Sequence, residues 1–152
     1  MQSLLKTDAP ARTSWDEAFE QYYAKGYNSA SVTDYGLFLE RVFRGTLLSA
    51  PSRTRFLQLM LSCQTGPQRL KAGLPPDVLW AHKTGTQHRR VCDFGLLLDR
   101  EVNPKRACVL LACVRGLSTP EEGEEVLRRI ATLLTKFGLF SEFSTNALRS
   151  TL

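Results

Sequence analysis

Residues 81–90, "AHKTGTQHRR", concentrate more chemistry than any other stretch of this chain. His82, Lys83, His88, Arg89 and Arg90 crowd one end of a β-hairpin pattern, around Thr84-Gly85-Thr86. One reading is a solvated hairpin end. A second is a grip on phosphates or nucleic acid. No aromatic residues interleave with the charges, however, and no helix-turn-helix or RNA-binding signature accompanies them. A phosphate-cradling loop is excluded by order, because the lysine precedes the glycine in "KTGTQHRR". A third reading is a carboxylate pocket. An ammonium and a hydroxyl on a strand margin can hold a carboxylate, and a glycine lets a ligand's backbone lie close to the strand. The N–H that follows the glycine can serve as one donor of an oxyanion hole.

The other reactive side chains give weaker patterns. His82 and His88 have no carboxylate or cysteine at metal-ligand spacing, so surface roles and no metal are expected. Cys63, Cys92, Cys108 and Cys113 form no C-x-x-C pair. Three of them fall in apolar strand-like runs, which predicts free buried thiols rather than disulfides. No cofactor is expected.

The elements that must carry these residues are legible from periodicity. The chain has 152 residues, 43% of them hydrophobic and 23% charged, which fits one globular unit. Its net charge of +5 favours anionic partners without requiring nucleic acid. No apolar run reaches the ~18 residues a membrane span needs, and the first residues do not read as a secretory signal. Ser14-x-x-Glu17 is a capping box that opens a helix carrying Phe19, Tyr22 and Tyr23. Ser31-x-x-Asp34 opens a second helix with an apolar stripe of Tyr35, Phe38, Leu39, Val42 and Phe43. A third begins at Pro51-Ser52, with Phe56, Leu57, Met60 and Leu61 inward. "QTGPQRLKAGLPPD" is a connector rich in Gly and Pro.

Three strands follow, Val78 to Lys83, Val91 to Leu98 and Ala107 to Arg115. The run "VLLACV" in the third predicts a strand covered on both faces. Thr119-Pro120-Glu121-Glu122 supplies an N-cap, a proline at the first helical position and acidic residues in the first turn. Val126, Leu127, Ile130, Leu134 and Phe137 are the inward stripe of that last helix. The sequence thus predicts an α+β fold, with three antiparallel strands, a C-terminal helix packed on the sheet and helices preceding it.

Lys83-Thr84-Gly85 on a strand is also the third signature of serine β-lactamases and penicillin-binding proteins. Around it, "NSAS-x-x-D", "RGTLLS", "TGPQRLKAGLP", "AHKTGT" and "DFGLLL" resemble the C-terminal half of class A β-lactamases and related serine hydrolases. The resemblance covers residues 28 to 140. It implies that Lys83 adds positive potential and orients the substrate, that Thr84 bonds its carboxylate, that Gly85 gives clearance, and that the Thr86 N–H serves the oxyanion hole. The implied activity is hydrolysis of a β-lactam amide through an acyl-enzyme. The alternatives are a D,D-peptidase of the same superfamily and a non-catalytic binding module. A small β-lactam or peptide carboxylate is the implied ligand, and a periplasmic or secreted location the implied compartment.

Other signatures of that family do not match. Ser3-Leu4-Leu5-Lys6 fits S-x-x-K as a string, but Pro10 forbids the long helix the motif needs. Ser144-Thr145-Asn146 fits S-x-N on the wrong side of the K-T-G strand. Glu17 and Glu20 fall in the region of the family's general base, but neither is followed by Leu-Asn. Residues 1–152 are therefore expected to form one partial domain, the C-terminal piece of a longer or truncated protein that lacks the nucleophile. Its partner would be the missing N-terminal segment of the same fold. Alone it is expected to leave its third strand open, and to be poorly soluble or oligomeric.

Overall fold

A computed structural model of the chain describes residues 14–99 and 107–140. In chain order the elements are α1 (Trp15–Ala24), α2 (Val32–Phe43), α3 (Ala50–Leu61), a short 3-10 turn (Leu70–Gly73), β1 (Leu79–Gln87), β2 (Arg90–Leu98), β3 (Cys108–Arg115) and α4 (Pro120–Lys136). The fold is α+β, as expected. The helix starts obey their sequence signals. The Ser14 hydroxyl accepts from Glu17 N–H while the Glu17 carboxylate accepts from Ser14 N–H, completing the capping box. Ser31, Ser49 and Thr119 cap α2, α3 and α4 in the same sense. Each satisfies an N–H that has no partner inside its helix.

The sheet has the order β1-β2-β3, antiparallel throughout. Gln87 pairs with Arg90 across a two-residue turn, and Arg89 takes the left-handed conformation there, with φ 54°. Side chains alternate between two faces. On one face Val78, Trp80, Val91 and Leu97 join Leu127 and Ala131 of α4, Leu70 of the 3-10 turn, Leu117 and Phe140 in the larger core. On the other, Ala81, Leu96 and Leu98 pack with Met60 of α3, Phe56, Leu57 and Phe43.

Two glycines set the closeness of the first layer. A Cβ at Gly123 of α4 would fall 2.6 Å from a Leu117 methyl and 2.9 Å from Val91 Cβ. One at Gly73 would fall 2.3 Å from the Arg128 carbonyl oxygen. The bare backbone lets α4 lie against both the sheet and the 3-10 turn, and Thr135 Oγ1 fixes that contact by donating to the Gly73 carbonyl at 2.9 Å.

Several expectations are corrected. Continuous burial belongs to β2, not β3: every residue of Leu96–Asp99 is buried, whereas no residue of β3 is fully buried. The reason is position, since β3 pairs only with β2 among the described residues. Phe38, Leu61, Val126 and Phe137, counted among inward stripes, are exposed. Cys92 and Cys113 are not free thiols but a disulfide. They stand directly opposite in the β2–β3 register, with Cα atoms 4.1 Å apart, so the pairing is set by register and not by sequence spacing. Cys63 and Cys108 are free, and Cys108 is exposed.

Candidate functional site

The K-T-G segment lies in the second half of β1, the strand whose other edge has no neighbour among the described residues. Lys83 is exposed, and its ammonium donates to the carbonyl of Thr84. Alternation puts Lys83 and Gly85 on the α2/α3 face and Thr84 and Thr86 on the α4 face. Lys83, Thr84, Gly85 and Thr86 thus line one accessible margin, with donors directed to both sides of it.

The hydroxyls are pre-set by a neighbouring loop. Thr65 Oγ1 and Thr84 Oγ1 are 2.6 Å apart, and Cys63 Sγ is 3.3 Å from Thr65 Oγ1. Only one proton can sit between the two threonine oxygens, so the other hydroxyl keeps a proton to donate outward. The loop comes this close because residue 66 is glycine at φ 63°. A Cβ there would fall 2.7 Å from both Thr84 Cγ2 and Arg69 Cδ. Gly85 is different. A Cβ on it would meet only Cys92 Cβ, at an ordinary 3.6 Å. Packing therefore does not require glycine at 85, and the clearance beside the strand is available to a ligand.

Arg69 is the residue that sequence reasoning missed. It is only 5% exposed. Its Nη1 donates to the carbonyls of Gly85 at 3.2 Å and Cys92 at 2.9 Å, its Nη2 to Thr86 Oγ1 at 2.7 Å, and its Nε to Glu124 of α4 at 3.0 Å. One guanidinium therefore fastens β1, β2 and α4 together under the K-T-G segment. A buried cation needs this full set of acceptors to offset its desolvation. Thr86, by accepting from Arg69, has its own hydroxyl proton left for a ligand. The only local signal was an arginine in "TGPQRLK"; its partners lie 16 to 55 residues away.

The histidines part company. His82 was expected at the surface, but it is 1% exposed and its Nδ1 is 2.8 Å from Oδ1 of the fully buried Asp93. Its ring stacks on Trp80, with centroids 5.5 Å apart. The correction follows from strand parity: His82 shares the α4 face with Trp80, the inner side of the larger core. Asp93 Oδ2 and Trp80 Nε1 are buried with no hydrogen-bond partner among the described residues. His88 lies in the turn, half-buried, with Nε2 2.5 Å from Oδ1 of Asp16. The hydrogen bond and charge of His88 hold the Asp16 carboxyl below the usual carboxylate range.

Glu17 is occupied by the α1 cap, and Glu20 lies near the hairpin turn rather than among the K-T-G residues. The S-x-x-K string at Ser3–Lys6 and the S-x-N string at Ser144–Asn146 lie outside the described residues. Among the described residues no group of three or more His, Cys, Asp or Glu side chains is placed to hold a metal ion. No described helix is long and apolar enough to cross a membrane.

An exposed strand margin that ends in an ammonium, two hydroxyls and a glycine, braced from behind by a buried arginine, is a specific arrangement. Comparison with known proteins decides what it belongs to. The model of the β-lactamase enzyme family matches residues 5–137. This chain belongs to that family. A β-lactamase of Streptomyces fradiae is 38% identical over 90 residues, which are 57% of this chain and 28% of that protein. Among solved structures, PBP-A superposes with a TM-score of 0.64 at 27% identity, over 74% of this chain and 41% of its own. A β-lactamase from Chitinophaga pinensis superposes with a TM-score of 0.66 at 23% identity, over 84% of this chain and 48% of its own, which shows the shared fold. The chain spans less than half the length of these relatives. What it matches is the C-terminal part of the β-lactamase fold.

Proposed function

We propose that this β-lactamase-family chain forms the carboxylate-binding wall of a serine hydrolase that opens β-lactam amides. The observation that carries this reading is the placement of Lys83, Thr84, Gly85 and Thr86 along the accessible margin of β1, with Arg69 behind them. Lys83 supplies positive potential, and the hydroxyls of Thr84 and Thr86 donate to the substrate carboxylate. The Thr86 N–H points a dipole at the carbonyl oxygen that becomes negative in the tetrahedral intermediate. The nucleophile is a serine of an S-x-x-K motif, supplied by a segment of the fold beyond the described residues. Its oxygen bonds to the amide carbon, the amide nitrogen leaves with a proton, and water then releases the acid from the ester. Residues 1–152 act as one partial domain in this reading, with that segment as partner. The Cys92–Cys113 disulfide supports an oxidising location, periplasmic or secreted.

A second reading, a penicillin-binding D,D-peptidase, is supported by the 28% identity to a PBP-A variant solved as an acyl-enzyme with penicillin G. The two readings share the wall and differ in whether water reaches the ester.

The test is binding of benzylpenicillin to the chain, followed by NMR. We expect saturable non-covalent binding that weakens about tenfold on loss of one charge-assisted contact in Lys83→Ala, and no covalent labelling by a fluorescent penicillin without the complementing segment. Gly85→Val should fold and lose the ligand. Equal binding of a penicillin whose carboxylate is esterified would sink the reading.

A further inference from the structure

We propose that the cavity under the β1–β2 turn is a second ligand site, taking a small oxyanion with at least two negative charges, such as a phosphoryl group. The cavity is about 420 Å³ and is walled by Glu20 and Tyr23 of α1, by His88, Arg89 and Arg90 of the turn, and by Arg115 at the end of β3. That volume falls within the range of small-molecule sites. None of the K-T-G residues, nor Arg69, contributes to it.

Charge comes first. Three arginines line this space against one lining carboxylate, Glu20; Asp16, bonded to His88, also lies near Arg89, yet none of the three arginines is within ion-pair distance of an acid among the described residues. Three arginines elsewhere are paired, Arg44 with Glu40, Arg69 with Glu124 and Arg128 with Glu125; what sets the turn apart is that three arginines line one cavity. Unmatched like charges brought together repel, and an anion between them removes that repulsion.

The cations are also oriented. Arg90 sits over the Tyr23 ring, its Cζ 3.4 Å from the ring centroid. Stacking uses the face of the guanidinium and leaves its in-plane N–H groups for an acceptor. Arg89 spends its Nε on the carbonyl of Leu117 at 3.1 Å, which anchors the side chain and leaves both terminal nitrogens. Its backbone adopts φ 54°, a conformation disfavoured for a residue with a Cβ.

The placement of α1 is otherwise hard to account for. No residue of this helix is buried, so it adds nothing to either core. Yet it is tied to the turn at three points: Tyr23 Oη donates to the His88 carbonyl at 2.8 Å, Phe19 stacks on His88 at 5.0 Å, and Asp16 pairs with His88. Together these contacts hold Tyr23 and Glu20 as one wall of the cavity. A bidentate guanidinium fork matches phosphoryl oxygens, and two or three forks select for more than one negative charge.

The experiment is titration of the chain with inorganic pyrophosphate by calorimetry at constant ionic strength, with acetate as the singly charged control. We expect one saturable site for pyrophosphate and none for acetate. Removal of two charge-assisted contacts in the double variant Arg90→Gln, Arg115→Gln should weaken binding by about a hundredfold. Glu20→Gln, which removes the only acid in the lining, should tighten binding. The pair Arg128→Gln, Arg129→Gln on α4 removes the same charge elsewhere and should leave affinity unchanged. Absence of saturable binding, or an equal loss in the α4 pair, would overturn the proposal. A weakened affinity in Glu20→Gln, a variant on an exposed helix, would also count against it.

Discussion

The two faces of the sheet are built to different standards. On the α4 face nine buried residues form one core, and glycines at 73 and 123 bring backbones into close contact. On the α2/α3 face the buried cluster against the sheet has four residues, and α2 adds the buried Leu39 and Val42. Both sides keep exposed apolar residues, Leu37, Phe38 and Leu59 on this one and Leu133 and Phe137 on the other, so the difference lies in the buried clusters. The polar contacts follow the same division. Arg69, Glu124, His82 and Asp93 all belong to the closed side, whereas Lys83 reaches out on the open one. The α4 layer braces the strand that carries Lys83 to Thr86 from one side, and the outer margin of that strand has no neighbour among the described residues.

That difference is broken most severely at the strand crossing. A Cβ at Gly95 would fall 2.1 Å from the Ala81 carbonyl oxygen and 2.7 Å from His82 Cα, both backbone atoms of β1. Gly95→Ala must therefore separate β1 from β2 and should abolish cooperative unfolding in thermal melts. Next come the two cores. Leu127→Ala, at a fully buried position of the closed side, should cost about 4 kcal/mol, and Met60→Ala on the thinner side about 2 kcal/mol, in urea unfolding. Equal losses would erase the distinction between the faces.

Much of the closed side was legible in the sequence as elements and not as contacts. Ser14-x-x-Glu17 and Thr119-Pro120 located their helices because caps act within one turn. The three strands showed because their apolar composition is local. The inward stripes were read too widely: Phe38, Val126 and Phe137 fit the helical period yet stay exposed, because a period gives the direction of a face and not the extent of what covers it. The Cys92–Cys113 bond, the His82–Asp93 pair and the four-way grip of Arg69 depend on strand register or on residues up to 55 positions apart. No local pattern encodes them. For the candidate site, Lys83 to Thr86 could be named from their own order. The arginine behind them could not.

Arg69 sharpens the comparison on the polar side. Arg69→Ala would leave the Gly85 and Cys92 carbonyls and Glu124 without their buried donor, and should cost about 3 kcal/mol. Arg69→Lys restores the charge but not the fork, and should recover less than half of that loss. The discriminating readout is hydrogen exchange. Faster exchange should appear in residues 83–92 and the first turns of α4, while α2 and α3 keep their protection. Uniform loosening of all four helices would mean that Arg69 acts on global stability and not as a brace behind one strand.

The smallest effect belongs to the exposed attachment of α1. Asp16 accepts from His88, and that contact keeps its carboxyl below the usual carboxylate range. A carboxyl whose folded value is depressed adds stability above its unfolded value, near 3.9, and that contribution disappears as pH falls through the folded value. Both groups are near solvent, so salt should weaken the contact as well. Amide exchange in residues 15–24 should therefore be slower in the unaltered chain than in Asp16→Asn at neutral pH and low salt. The two should converge once the pH is taken well below about 4. The glutamate at 17 holds the cap in both proteins, so a difference that survives acid would trace to the helix start and not to its tether on the hairpin. A difference present at neutral pH and unchanged by salt would likewise remove the electrostatic account of how α1 is held against the turn.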